Sequence, residues 1–104
     1  MHIVRVTYTS NADYVSQNEA NINAVMTDLR ALGSKGIHYT VCLCPDTKTF
    51  IHTAYFRSEE DRRVLNDLAS FKSFQEQLNA SGPEVPPKQE ILTLVGTSTE
   101  LFHS

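Results

Sequence analysis

The sequence contains no tryptophan, only two cysteines, four glycines and four prolines in 104 residues, and no long apolar run. Each shortage excludes something. Two cysteines cannot build a disulfide framework, and MHIVRVTYTS lacks the apolar core of a signal peptide. The expectation is a cytoplasmic protein whose cysteines are reduced thiols. Without an apolar stretch of about 18 residues, a basic cluster or a lipid-anchor motif, nothing in it grips or spans a membrane. Cationic charge is also short, with nine Lys and Arg against twelve Asp and Glu for a net −3. That removes the basic stripe of a nucleic-acid binder, so no nucleic-acid partner is expected. Internal repeats and low-complexity segments are absent.

What is present is an ordinary globular mixture, 40% hydrophobic and 20% charged. The length suits one domain, placed at residues 1–98 with a C-terminal tail at 99–104. A domain this small leaves much apolar surface in water, so a second copy of the chain would add useful burial.

HIVRVTYT (2–9) alternates with a period of two and is rich in β-branched residues, which predicts a strand. Asn11 or Asp13 can cap the helix that follows. The stripe Val15, Asn18, Ile22, Val25, Met26, Leu29 and Leu32 has helical spacing, and LGSKG ends it with glycines available for a left-handed turn. A second strand is expected over about 37–44, a PDTK turn, and a third strand over about 49–56. Ser58 and Asp61 approximate a capping box for a second helix, whose stripe Val64, Leu65, Leu68, Phe71, Phe74 and Leu78 bends near Ala69 and Ser70. NASGPEVPPKQ is expected as a loop. EILTLVGT is expected as a fourth strand, apolar on both faces and therefore covered on both. The order β-α-β-β-α-β with right-handed crossovers predicts an α+β, ferredoxin-like fold. It has a four-stranded antiparallel sheet in the order 4-1-3-2 and two helices on one face.

VCLCPDTKTFIHTAYF (41–56) places both cysteines close to His52. With PDTK as the turn, Cys42 lies opposite Ile51 and Val41 opposite His52, and directly paired residues share a face. One face then carries Tyr39, Val41, Phe50, His52, Ala54 and Phe56, and the other His38, Thr40, Cys42, Cys44, Ile51, Thr53 and Tyr55. Cysteines and His52 point to opposite sides. Cys42 and Cys44 stand about 7 Å apart along one strand, too far for a relaxed disulfide, and one histidine does not complete a zinc ligand set. No metal site is expected.

His52 belongs to the more apolar face, the one assigned to the helices, and helical phase adds Asn18. Taking the third strand to run with the first, Tyr8 and Phe56 fall at one end with His52 further down, and the returning second strand brings Tyr39. Asn18, Tyr39, His52, Tyr8 and Phe56 are therefore the candidate ligand-binding set, with His52 the best catalytic candidate. Apolar walls with a few inward polar groups suit a small-molecule pocket. They equally suit a core whose polar groups satisfy one another. Phe71 and Phe74 are expected as plain core.

Residues 50–96 resemble the second half of an antibiotic biosynthesis monooxygenase-like domain. The shared features are a third strand ending in an aromatic, a Ser-Glu helix start, the step from Ser70 to Phe74, a proline-containing loop and an apolar last strand. With the first half, the resemblance covers about residues 1–98. It implies a dimeric α+β barrel, in which two sheets pack through their helix-free faces and so form a homodimer. Members that oxygenate polyketides or degrade haem use an Asn, Trp and His set, and many relatives carry a histidine shortly before the serine. Here there is no Trp, and that stretch reads NDLAS. Two classes of function follow. One is an enzyme without cofactor, a monooxygenase-like oxidoreductase or an isomerase acting on a flat, acidic aromatic substrate. In it His52 accepts a proton, and Asn18 or Tyr39 holds a developing oxyanion. The other is a non-catalytic small-molecule-binding or structural dimer.

Overall fold

A computed structural model describes residues 1–102, so of the expected tail positions 103 and 104 lie outside the described residues. Strand β1 (His2–Thr9) leads through a single 3-10 turn (Ala12–Tyr14) into helix α1 (Val15–Leu32). Strands β2 (Ile37–Leu43) and β3 (Thr49–Phe56) form a hairpin. Helices α2 (Glu59–Asp67) and α3 (Ala69–Ser81) and strand β4 (Val85–Leu92) complete the chain. The sheet order is β2-β3-β1-β4, all antiparallel, which is the expected ferredoxin-like order read from the other edge.

The hairpin register is the one the turn predicted, with Val41 opposite His52 and Cys42 opposite Ile51. The Asp46 carboxylate fixes that turn by accepting the Lys48 and Thr49 backbone N–H groups at 2.9 and 2.8 Å. The strand pairing corrects one expectation. β3 runs against β1, not with it, placing Phe50 beside Tyr8 and Phe56 beside His2 at the far end. Adjacent strands of an antiparallel sheet must alternate in direction, so Phe56 cannot share an end with Tyr8.

Three further differences have local causes. No side chain caps the start of α1; the Asn11 amide instead donates to the Ser81 and Gly82 carbonyls at 2.8 and 2.7 Å. The expected second helix is two helices, because Leu68 adopts an extended ψ of 128°. Ser58 caps the first of them, its Oγ accepting the Asp61 N–H. The fourth strand begins earlier than expected, and Pro86 and Pro87 lie inside it. Prolines are tolerated there because β4 is an edge and its pairing with β1 shifts register between Thr7 and Thr9, opposite the two prolines. Nor is β4 covered on both faces, since no helix packs over its outer side and Ile91 is 63% exposed.

The core lies between one sheet face and the helices. Tyr8, Phe50, Ala54 and Phe56 from the sheet meet Ile22 and Val25 of α1 and Leu65, Phe71, Phe74 and Leu78 of α2 and α3. The opposite face carries Ile51, Thr53 and Tyr55 half-exposed, crossed by an Arg5–Glu90 ion pair at 2.8 Å. No helix is long and apolar enough to cross a membrane among the described residues.

Candidate functional site

His52 sits on a central strand with its ring turned to the helices, 4% exposed. An imidazole buried this far needs partners for both nitrogens, since an unsatisfied polar atom costs about 1–3 kcal/mol. The neighbouring strands supply them diagonally. On one side Val6 is its direct partner and Tyr8 lies two residues on; on the other the direct partner is Val41, with Tyr39 two residues back. Diagonal neighbours are within reach of long side chains. Tyr8 Oη lies 2.8 Å from His52 Nε2, and Tyr39 Oη lies 2.7 Å from Nδ1. Asn18 is fully buried on the α1 stripe and donates through Nδ2 to Tyr8 Oη at 2.7 Å.

Asn18, Tyr8, His52 and Tyr39 therefore form one chain, in which Asn18 meets the histidine through Tyr8 rather than directly. The amide at the buried end sets its direction. Tyr8 Oη accepts from Asn18, and its own buried hydrogen, with no other acceptor among the described residues, goes to Nε2. A neutral imidazole accepting at Nε2 carries its hydrogen on Nδ1, which donates to Tyr39 Oη. The hydrogen left over at the end of the chain is that of Tyr39. At the other end Asn18 Oδ1 is buried without a partner.

Electrostatics keep the chain neutral. Burial pushes His52 down to about 4, well below the ordinary imidazole value, and raises both Tyr8 and Tyr39 above the usual phenol range. No charged group in the chain would favour ionisation, so desolvation decides.

Beside this chain lies a cavity of about 480 Å³ between the sheet and α3, lined by Val6, Tyr39, His52, Phe71, Phe74 and Pro87 among others. A smaller lobe of about 90 Å³ lies next to it, with Val6, Tyr39, His52, Phe71 and Gln75 lining both. Phe56 borders that lobe and takes no part in the hydrogen-bonded chain. The walls are aromatic. His52 and Phe74 have ring centroids 5.3 Å apart, and Phe71 and Phe74 stack at 5.9 Å.

Of the five expected site residues, four are joined by hydrogen bonds and Phe56 stands apart. Phe71 and Phe74, expected as core only, also wall the cavity; Gln75 borders both lobes, and Arg62, whose SEEDRR run reads as a solvated helix start with local ion pairs, is instead half-buried beside the smaller one. Their helical phase with Leu65 and Phe71 was the available signal, but the break at Leu68 hid how the two helices meet. Cys42 and Cys44 lie on the other face from His52. Among the described residues, no group of three or more His, Cys, Asp or Glu side chains comes together to hold a metal ion.

No family model and no curated protein match this chain. Solved structures match its fold. The Mycobacterium tuberculosis protein Rv0793 superposes with a TM-score of 0.78 at 16% identity, over 94% of this chain and 98% of its own. Two proteins named as candidate antibiotic biosynthesis monooxygenases also match. The one from Bacteroides thetaiotaomicron VPI-5482 has a TM-score of 0.82 at 7% identity, over 95% of this chain and 93% of its own. The one from Nitrosomonas europaea has 0.77 at 11%, over 92% and 100%. The resemblance noted in the sequence thus holds at the level of the fold, which by itself assigns no reaction.

The direction of the chain predicts the tautomer. Nitrogen-15 spectra of His52 should show a bare Nε2 and a protonated Nδ1; the opposite pattern would mean that the chain runs the other way.

A second outcome concerns pH. The folded imidazole titrates near 4 and an unfolded one near 6.5, so between those values the unfolded chain binds the extra proton. The stability this contributes is complete above about pH 6.5 and is lost as pH falls towards 4, to a total of about 3 kcal/mol. Urea unfolding at stepped pH should show wild type losing more stability over this window than His52→Gln, which keeps every other titratable group. Parallel curves would contradict the burial effect.

Proposed function

We propose that the chain is an enzyme, working without a cofactor, that binds a flat aromatic molecule between sheet and helices and stabilises an oxyanion on it. The observation that carries this reading is the Tyr39 hydroxyl, polarised by a neutral histidine behind it and bordering both lobes of an aromatic-walled cavity. A donor pre-positioned in a dry site is worth most where charge develops in the transition state. Such an anion, taken up already ionised with its proton left to water, is electron-rich enough to react directly with dioxygen, as in a monooxygenase-like reaction, or to isomerise.

The role of His52 differs from that of a simple base. Both its nitrogens already have tyrosine partners, and its pKa of about 4 lies roughly six units below a phenol's. A full proton transfer would cost about 8 kcal/mol. His52 is therefore a positioning residue, and Tyr39 is the group that meets the substrate. The same weak basicity favours the second reading, a non-catalytic binding protein using the same cavity.

The working unit in this proposal is a homodimer built through the helix-free sheet face that carries Thr40, Cys42, Ile51, Thr53 and Tyr55. Supporting it are the half-exposed Ile51 and Tyr55 and the uncovered apolar side chains that follow β4, with Leu94 39% and Val95 100% exposed. A second copy would take such side chains out of water.

Planar phenols such as naphthol should perturb the amide signals of Phe71, Phe74 and Tyr39. With the turned-over member of a phenol and hydroquinone panel, oxygen uptake or isomerisation should fall roughly 10²–10³-fold in Tyr39→Phe with the fold intact. Binding without turnover by any member would select the non-catalytic reading. No perturbation of the cavity would refute both.

Sedimentation at micromolar concentration should give a dimer that Ile51→Lys with Tyr55→Lys converts to monomer. A monomeric wild type would remove the dimer from the proposal.

A further inference from the structure

The small lobe differs in charge from the main cavity, which is bordered by Lys72 and Glu76 of opposite sign, whereas the lobe has a single charged neighbour. Arg62 of α2 borders it, half-buried. No Asp or Glu lines it, and its other polar neighbours are the amides of Asn66, Gln75 and Gln89 besides Tyr39 and His52. Three acids stand in the first turn of α2, just before Arg62. Two of them are engaged elsewhere: Glu59 faces His2 at 3.8 Å, and Asp61 accepts from Ser58 Oγ at 2.9 Å. The ion pairs among the described residues are His2–Glu59, Arg5–Glu90 and Lys48–Glu84. Arg62 is in none of them.

A guanidinium beside a narrow recess, with amide donors around it and no carboxylate to neutralise it, is an anion receptor by chemistry. Its planar fork matches a carboxylate, and partial shielding from water strengthens the contact. Its position matters as much. The recess adjoins the aromatic-walled cavity, and the Tyr39 hydroxyl borders both spaces. On a protein of net charge −3, general attraction of anions is not the explanation; the positive charge is local.

We propose that the small lobe is a carboxylate subsite in which Arg62 receives the acid group of an aromatic carboxylate. The ring of that ligand lies in the larger cavity against Phe71 and Phe74. This rests on the reading of the cavity as a ligand site and names the class of molecule it takes. Arg62 is a specificity residue here: it selects an anionic over a neutral ring of the same shape and fixes which end enters first.

Calorimetric titration with naphthoate and with naphthamide tests this, because the two share a ring and differ in charge. Wild type should bind naphthoate roughly tenfold or more tightly than naphthamide, the worth of a hydrogen bond to a charged group. Arg62→Gln should remove that preference and leave naphthamide affinity unchanged, and Arg62→Lys should restore part of it. Arg63→Gln, which removes an exposed neighbouring charge, should change nothing. Equal binding of both compounds to wild type, or a preference that survives Arg62→Gln, overturns the subsite and leaves the cavity reading standing. If neither compound binds wild type, the cavity is not an aromatic-ligand site and the subsite falls with it.

Discussion

Burying an imidazole in the middle of a sheet imposes a condition that the rest of this structure meets: both ring nitrogens must find partners without recourse to water. Tyr8 and Tyr39 meet it from the two adjacent strands, and Asn18 closes the chain from the helix above. The arrangement fixes register as well as polarity. A shift of either strand by one residue would turn its tyrosine to the far face and strand a ring nitrogen. Polar specificity and strand alignment are here the same interaction.

The chain sits where it does because α1 and α3 cover only part of the sheet. α1 lays Asn18, Ile22 and Val25 on the sheet and seals the Tyr8 end. α3 brings Phe71, Phe74 and Leu78, but its packing leaves an opening towards the β4 edge, where Pro87 lines the cavity. The extended residue Leu68 separates α2 from α3. Side chains from two differently directed helices, Arg62 and Phe71, consequently border the same lobe. One straight helix would have presented a single continuous stripe.

The fold and the chemistry are separable. Structures only 7% and 16% identical to this chain share its backbone over nearly its whole length. Burial and hydrogen-bonded strands tolerate wide change in side chains so long as the pattern of apolar positions survives. The groups that line the cavity are particular to this chain: a Tyr-His-Tyr hydrogen-bonded chain, aromatic walls and, at the smaller lobe, Arg62. The sequence has no tryptophan, and Phe71 and Phe74 supply aromatic surface to the cavity.

Local pattern was enough to place β1 to β3, both sides of the hairpin, the Ser58 cap and the inward direction of Asn18, Tyr8, Tyr39 and His52. Periods of 2 and 3.6 are properties of neighbouring residues, and the PDTK turn fixed which residues of the hairpin face each other. The extent of β4 was not legible, because Pro86 and Pro87 look like loop until one knows the strand is an edge. Nor was the sense of β3 against β1 carried into the placement of Phe56, which depends on pairing between residues some 50 positions apart. The pattern turned His52 and Tyr39 inward, but whether they formed a bonded core or a pocket wall could not be read from phase. In the structure two hydrogen bonds satisfy the ring, Phe74 of α3 packs on it, and His52 and Tyr39 also line the cavity beside them. How closely a helix packs on a sheet is set by the summed shapes of side chains distant in sequence, and that sum exists only once the chain has folded.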